Sequence, residues 1–238
     1  MSADELIYSG KAKTLYSTAR EGELLMEFRD DITAFDGGKK DILPGKGYCN
    51  CCVTAFLFGL LEREGIRTQL IGKIDATHLL VRSLQMIPIE VIVRNRAAGS
   101  FVRRYPFREG DTLKPPVCEL NLKDDSRHDP MLNEDITVAL GLATKLELRE
   151  MRSIALRVNR VLSAHLERLG IVLADFKCEF GRFRGELLLG DEISMDSMRL
   201  WDALDRKSLD KDVYRYAKGD VMEVYRSVAR RITSGSCG

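Results

Sequence analysis

The clearest periodicity in the chain runs from Leu148 to Leu169. Leu148, Met151, Ala155, Val158, Leu162, Leu166 and Leu169 fall on one helical stripe, and Gly170 follows as a stop. Thr144, with Glu147 three residues on, forms a capping box at its start. A second stripe, Cys49, Val53, Phe56, Leu57, Leu60 and Leu61, predicts a core-facing helix from Tyr48 to Glu64, ended by Gly65. The tail from Leu209 to Ile232 also reads as helical, with Val221, Val224, Tyr225 and Val228 on one side, a break at Gly219 and frayed last residues.

Elsewhere the pattern shortens to strand length. Ile7-Tyr8 and Thr14-Leu15-Tyr16 flank the small turn Ser9-Gly10-Lys11-Ala12-Lys13 and predict a hairpin, and Leu24 to Phe28 a further strand. The Gly- and Lys-rich stretch from Phe35 to Gly47 reads as a loop, and Leu70 to Leu84 as strands that carry the chain between two lobes. Two lobes are expected, with a boundary near Leu80. A chain of 238 residues, 45% hydrophobic, is long enough to bury such a core.

Charge narrows the partners. Thirty-seven basic residues against 36 acidic ones leave no net field to draw the molecule to nucleic acid or an anionic membrane, so anions must be bound locally. No apolar run reaches the length of a membrane span, and there is no internal repeat. Six cysteines without a secretory start suggest reduced thiols in a soluble, cytoplasmic protein. Cys49, Cys51 and Cys52 lack paired C-x-x-C spacing and read as small buried side chains rather than zinc ligands.

The chemistry concentrates in Ile171 to Glu192. Strand alternation puts Asp175, Lys177 and Glu179 on one face, about 7 Å between neighbours, and Ala174, Phe176, Cys178 and Phe180 on the other. A lysine between two carboxylates keeps all three ionised. The strand returns through Leu187 to Leu189; a three-residue loop centred on Gly185 would set Glu179 opposite Asp191, a pair suited to Mg²⁺ bridging nucleotide phosphates, and a one-residue slip would separate them. An amphipathic edge hairpin with solvated charges is the other reading. Ile87 to Ser100 reads as a strand that ends in arginines and a small-residue turn. There Arg94 and Ser100 suit an anion, or the arginines pair with Glu90 or another acid.

Both runs, Ile87 to Ser100 and Ala174-Asp175-Phe176-Lys177-Cys178-Glu179-Phe180-Gly181, resemble diagnostic motifs of the SAICAR synthetase family. The similarity extends through Gly10 to Lys13, Asp36 to Gly47, Lys123 to Pro130 and Gly190 to Trp201. It implies an α+β, SAICAR synthase-like fold, with a β-rich, ATP-grasp- or kinase-like nucleotide lobe of antiparallel sheet over residues 1–80 packed on a larger α+β lobe over 81–238. It also implies an ATP- and Mg²⁺-dependent ligase that condenses carboxyaminoimidazole ribonucleotide with L-aspartate in purine biosynthesis. By resemblance, Lys11, Ala12, Lys13 and Lys123 lie at the ATP phosphates, Glu179, Asp191 and Asp129 at the metal, and Arg94, Ser100 and Arg199 at the ribose 5-phosphate. Asp175, Lys177 and Asp196 position the imidazole's groups, and the Asp36 to Gly47 loop departs from the family pattern with lysines at 39 and 40. The protein's work is then positioning and charge neutralisation, without a protein nucleophile. The rival readings are a small-molecule kinase of the same fold and a nucleotide- or RNA-binding module. A homo-oligomer is compatible with the sequence, which points to no interface.

Overall fold

The computed structural model describes residues 5–34 and 38–235. Phe35, Asp36 and Gly37 of the predicted loop, and the final three residues read as frayed, lie outside them. The chain opens with the predicted hairpin, β1 (Leu6–Ser9) and β2 (Lys13–Ser17), followed by β3 (Glu23–Phe28). With β6 (Leu70–Lys73) and β7 (His78–Arg82) these form an antiparallel sheet in the order β1-β2-β3-β7-β6. Leu80 is a residue of β7, and the next strand, β8 (Gln85–Arg96), belongs to the second sheet.

That sheet is built from β8, β9 (Thr112–Leu122), β10 (Met131–Leu132), β11 (Ile171–Phe183), β12 (Glu186–Gly190) and β13 (Met198–Asp202). Its order is β10-β9-β8-β11-β12, with β13 paired to the first half of β11, and all its pairings are antiparallel. Helices α1 (Lys46–Arg63), α4 (Lys145–Arg168) and α6 (Val221–Ile232) share one apolar core with it, α4 lying on β8 and β11 while α1 packs on α6 and on β3 and β6 of the first sheet. Val53, Leu162, Phe176, Phe180 and Tyr225 are all fully enclosed in that one core. Each such aliphatic or phenyl side chain contributes roughly 1.5–3 kcal/mol on leaving water. The capping box at Thr144 forms as expected, both reciprocal bonds being present. Short helices α2 (Ser100–Arg104), α3 (Glu134–Ala139) and α5 (Asp212–Arg215) fill the connections. The fold is thus the α+β class expected. Among the described residues no helix is long and apolar enough to cross a membrane.

Two expectations are corrected here. The stretch from Phe35 to Gly47 is not all loop: β5 (Lys39–Ile42) pairs with β4 (Asp31–Ala34) in a separate two-stranded sheet, and α1 begins at Lys46. The cause is tertiary. The Lys39 ammonium lies over the Tyr214 ring and donates to its carbonyl, the Tyr214 hydroxyl donates to Asp41, and Ile32 and Ala34 pack on the same tyrosine. The Asp30 carboxylate meanwhile accepts the N–H groups of Gly45 and Gly47, and any Cβ at Gly47 would overlap the Phe28 carbonyl. The second correction concerns the thiols: Cys49, Cys51, Cys118 and Cys178 are free, but Cys52 is disulfide-bonded.

Candidate active site

β11 pairs with β8 so that Asp175 faces Arg94, Lys177 faces Ile92 and Glu179 faces Glu90. Phe176, Cys178 and Phe180 enter the core, which leaves Asp175, Lys177 and Glu179 on the opposite side, as alternation requires. Ala174 does not follow. A bulge between Leu173 and Asp175 in the pairing with β13 shifts the parity: Ile171 and Leu173 are the core residues there, and Ala174 packs with Ala98 and Trp201.

The return hairpin also differs from the three-residue loop. Phe183 pairs with Glu186 across a two-residue turn in which Arg184 and Gly185 both have positive φ, 52° and 82°. Glu179 therefore stands opposite Gly190, and Asp191 is the first residue past the strand, itself at φ 57°. The slip does not part the two carboxylates. Glu179, 1% exposed, has its pKa raised by burial and then by the charge of Asp191. Burial pushes Asp191 the same way, but Lys13, Lys123 and Lys177 outweigh it and hold that carboxyl well below its usual range.

Each of these lysines is committed to acids. Lys13 donates to Asp191 and to Glu192 at 2.7 Å, and Lys123 donates to Glu179 at 2.6 Å. Lys177 donates to Glu90 at 2.6 Å and Glu179 at 3.3 Å. Burial would deprotonate Lys177, yet Glu179, Glu90 and Asp191 raise its pKa, so it remains an ammonium. Lys11 reaches across from the first hairpin to Asp125, at the mouth. Asp129 accepts the Asp124 N–H, and burial followed by the charge of Glu90 raises its pKa.

The other end of the same sheet face holds two guanidinium groups. Arg94, 3% exposed, donates to Glu119 at 2.7 Å, Asp175 at 2.9 Å and the Ser100 hydroxyl at 3.1 Å. Arg199 donates to the same Asp175 and, at 2.8 Å, to Asp212. Gly99 lies against Arg199: at φ 55°, an added Cβ would stand 2.6 Å from a guanidinium nitrogen. Gly99→Ala is therefore expected to displace Arg199 and weaken binding of a phosphorylated substrate about tenfold, a loss of about 1.4 kcal/mol. Titration calorimetry with the ribonucleotide checks this, and unchanged affinity would overturn the expectation that Arg199 meets a phosphate.

Lys11, Arg94, Ser100, Asp129, Asp175, Lys177, Asp196 and Arg199 line one cleft of about 340 Å³, while Lys13, Lys123, Glu179 and Asp191 form the charge cluster around Lys177. Ala12 serves through its backbone, its carbonyl accepting the Arg29 N–H. A larger cavity of about 920 Å³ beside Gly99 and Trp201 contains none of the predicted residues, so the charged cleft is the site the chemistry favours. Asp196 has both oxygens engaged inward, by Lys46 at 2.8 Å and the Tyr225 hydroxyl at 2.6 Å. Sequence reasoning missed Lys211, Arg215 and Thr33, which line the cleft too. Arg215 is bonded to Asp212, whereas Lys211 makes no ion pair among the described residues. Its pKa is lowered by burial, Asp196 pulling the other way and Arg215 and Lys46 adding to the fall. Only the spacing of Lys211 and Arg215, one helical turn apart, hinted that they share a face.

Two large antiparallel sheets and a cleft lined by lysines, arginines and carboxylates recur in solved structures of a family of ligases. A SAICAR synthetase solved in complex with ADP superposes with a TM-score of 0.93 at 45% identity, covering 97% of this chain and 98% of that one. The phosphoribosylaminoimidazole-succinocarboxamide synthase of Ehrlichia chaffeensis gives 0.94 at 40% identity, over 96% and 98%. In sequence, the enzyme of that name from Methanoregula boonei is 58% identical over 98% of this chain and 91% of its own length. The one from Methanocaldococcus jannaschii is 52% identical over 95% and 93%. The sequence model of the SAICAR synthetase family matches residues 6–232, and the chain belongs to that family.

Proposed function

We propose that this chain condenses 5-amino-1-(5-phosphoribosyl)imidazole-4-carboxylate with L-aspartate, using ATP, to give SAICAR, ADP and phosphate in de novo purine (IMP) biosynthesis in the cytoplasm. The observation that carries the assignment of roles is the division of one sheet face into a lysine–carboxylate end and a guanidinium end. The ADP complex of a relative 45% identical supports the nucleotide. A carboxylate is a poor acylating agent, so the imidazole carboxylate first attacks the γ-phosphorus, ADP leaves, and the amine of aspartate displaces phosphate.

Lys11, Lys13 and Lys123 would neutralise the transferred phosphoryl group, with the Ala12 backbone at the same turn. Arg94 has three of its five N–H groups engaged and Arg199 at least two, so both retain donors for a 5-phosphate beside the Ser100 hydroxyl. Lys177 and Asp175 hold the imidazole between these ends, and Asp196 fixes the floor through Lys46 and Tyr225. The donor set suits Mg²⁺: it favours one or two carboxylates completed by phosphate oxygens and water, and buried Glu179 neighbours half-buried Asp191, with Asp129 near the mouth. When bound, the ion would supply positive charge to the nucleotide phosphates. The nucleotide would lie between the N-terminal sheet and the second lobe, whose closure excludes water from the activated carboxylate.

ADP release by the purified protein tests the assignment. Turnover is expected only with ATP, Mg²⁺, the ribonucleotide and aspartate together, and chelation by EDTA should abolish it. Turnover indifferent to aspartate would mean a kinase, and turnover that survives EDTA would remove the metal from the account.

A further inference from the structure

The turn that carries Lys11 and Lys13 has little of its own to hold it. Its one internal backbone bond runs from the Gly10 N–H to the Lys13 carbonyl at 2.8 Å, and every residue of the outer strand β1 is exposed, so packing does not fix the hairpin from outside. β2 is held in its sheet by β3, with Lys13 opposite Phe28, but Gly10 to Ala12 lie beyond the strand pairing. Yet its two lysines leave in different directions, Lys11 to Asp125 and Lys13 to Asp191 and Glu192. Something must set the peptides between them.

One residue touches nearly all of them. Arg29, just past the end of β3, donates its backbone N–H to the Ala12 carbonyl at 2.8 Å, which fixes the peptide between the two lysines. Its guanidinium donates to the Gly10 carbonyl at 2.6 Å, the Ser9 hydroxyl at 2.8 Å and the Thr14 hydroxyl at 3.2 Å. Its Nε lies 3.1 Å from the Asp31 carboxylate. Three of the five guanidinium donors are thereby given to the turn itself. Lysine, a single point donor, cannot span those acceptors.

We infer that Arg29 is a positioning residue that clamps the turn over residues 9–14 in the conformation that presents Lys11 and Lys13 to the nucleotide phosphates. This rests on the reading of those two lysines given above. The clamp acts only at the nucleotide end: none of the contacts of Arg29 involves Arg94, Ser100 or Arg199.

The test compares Arg29→Ala, Arg29→Lys and Lys13→Met in the full chain, by calorimetric binding of Mg·ADP and, separately, of the ribonucleotide, with thermal melts alongside. Both Arg29 variants are expected to bind ADP about tenfold more weakly, the loss of a few charge-assisted hydrogen bonds, while ribonucleotide affinity stays within about twofold. Added guanidinium should restore part of the ADP affinity of Arg29→Ala, which a general loss of packing would not allow. Unchanged ADP affinity, or an equal fall for both ligands, overturns the clamp. Should Arg29→Ala fail to fold, Arg29→Lys carries the comparison. If Lys13→Met also binds ADP normally, the assignment of the lysines to the phosphates is what fails, and the two failures are told apart.

Discussion

Glu179→Gln is expected to lower turnover by about a thousandfold, the upper range for removing one preorganised electrostatic group, with the fold intact. Glutamine keeps the shape and can still bond Lys123 or Lys177 through its oxygen, but it removes the negative charge that, with Asp191, makes this corner of the cleft suited to a cation. Stability should not suffer. The folded-state pKa of Glu179 is raised, so its protonated form is the one the native state favours; that contribution is full below the unfolded pKa and disappears as pH rises through the folded value. At neutral pH the charge therefore works against folding, and a neutral isostere relieves it. Steady-state ADP release and a thermal melt decide the matter: activity within tenfold of the parent would mean that Glu179 is only part of the scaffold.

Arg94→Met is expected to have the largest effect on stability, a loss of about 3 kcal/mol, the lower end of the range for breaking a buried ion pair by removing one partner. Glu119, 3% exposed at its side chain, and Asp175 both lose a charge-assisted bond within the sheet. The loss stops short of the upper figure because Arg104 still reaches Glu119 at 3.0 Å and Arg199 still holds Asp175. Urea denaturation of the variant measures this, and adding Glu119→Gln should recover part of the deficit by removing the stranded charge. A variant as stable as the parent would show that solvent reaches these carboxylates.

Much of the site was legible because alternation along one strand is a local rule. Asp175, Lys177 and Glu179 share a face for the reason that Phe176, Cys178 and Phe180 share the core. Where alternation failed, at Ala174, the cause was a bulge against β13, a strand distant in sequence. The hairpin turn was misjudged because Arg184 adopts a positive φ that composition gives no reason to assign to an arginine. The β4–β5 pair was invisible for a different reason: Lys39 and Asp41 become strand residues through contacts with Tyr214, more than 170 residues away. Likewise, Lys46 falls in the stretch read as a loop, and only the fold makes it the first residue of α1 and brings it to Asp196, which Tyr225 also bonds. Short-range periodicity is written in neighbours; the partners of a buried charge are not.

Glu119, Arg94, Asp175, Arg199, Asp212 and Arg215 form an unbroken line of alternating charges across β9, β8, β11, β13 and α5. Exchanging an interior member alone takes one charge partner from each of its two neighbours. Single-step evolutionary drift through these positions is accordingly disfavoured, and a lineage that alters one of them is expected to gain from a compensating change in the next.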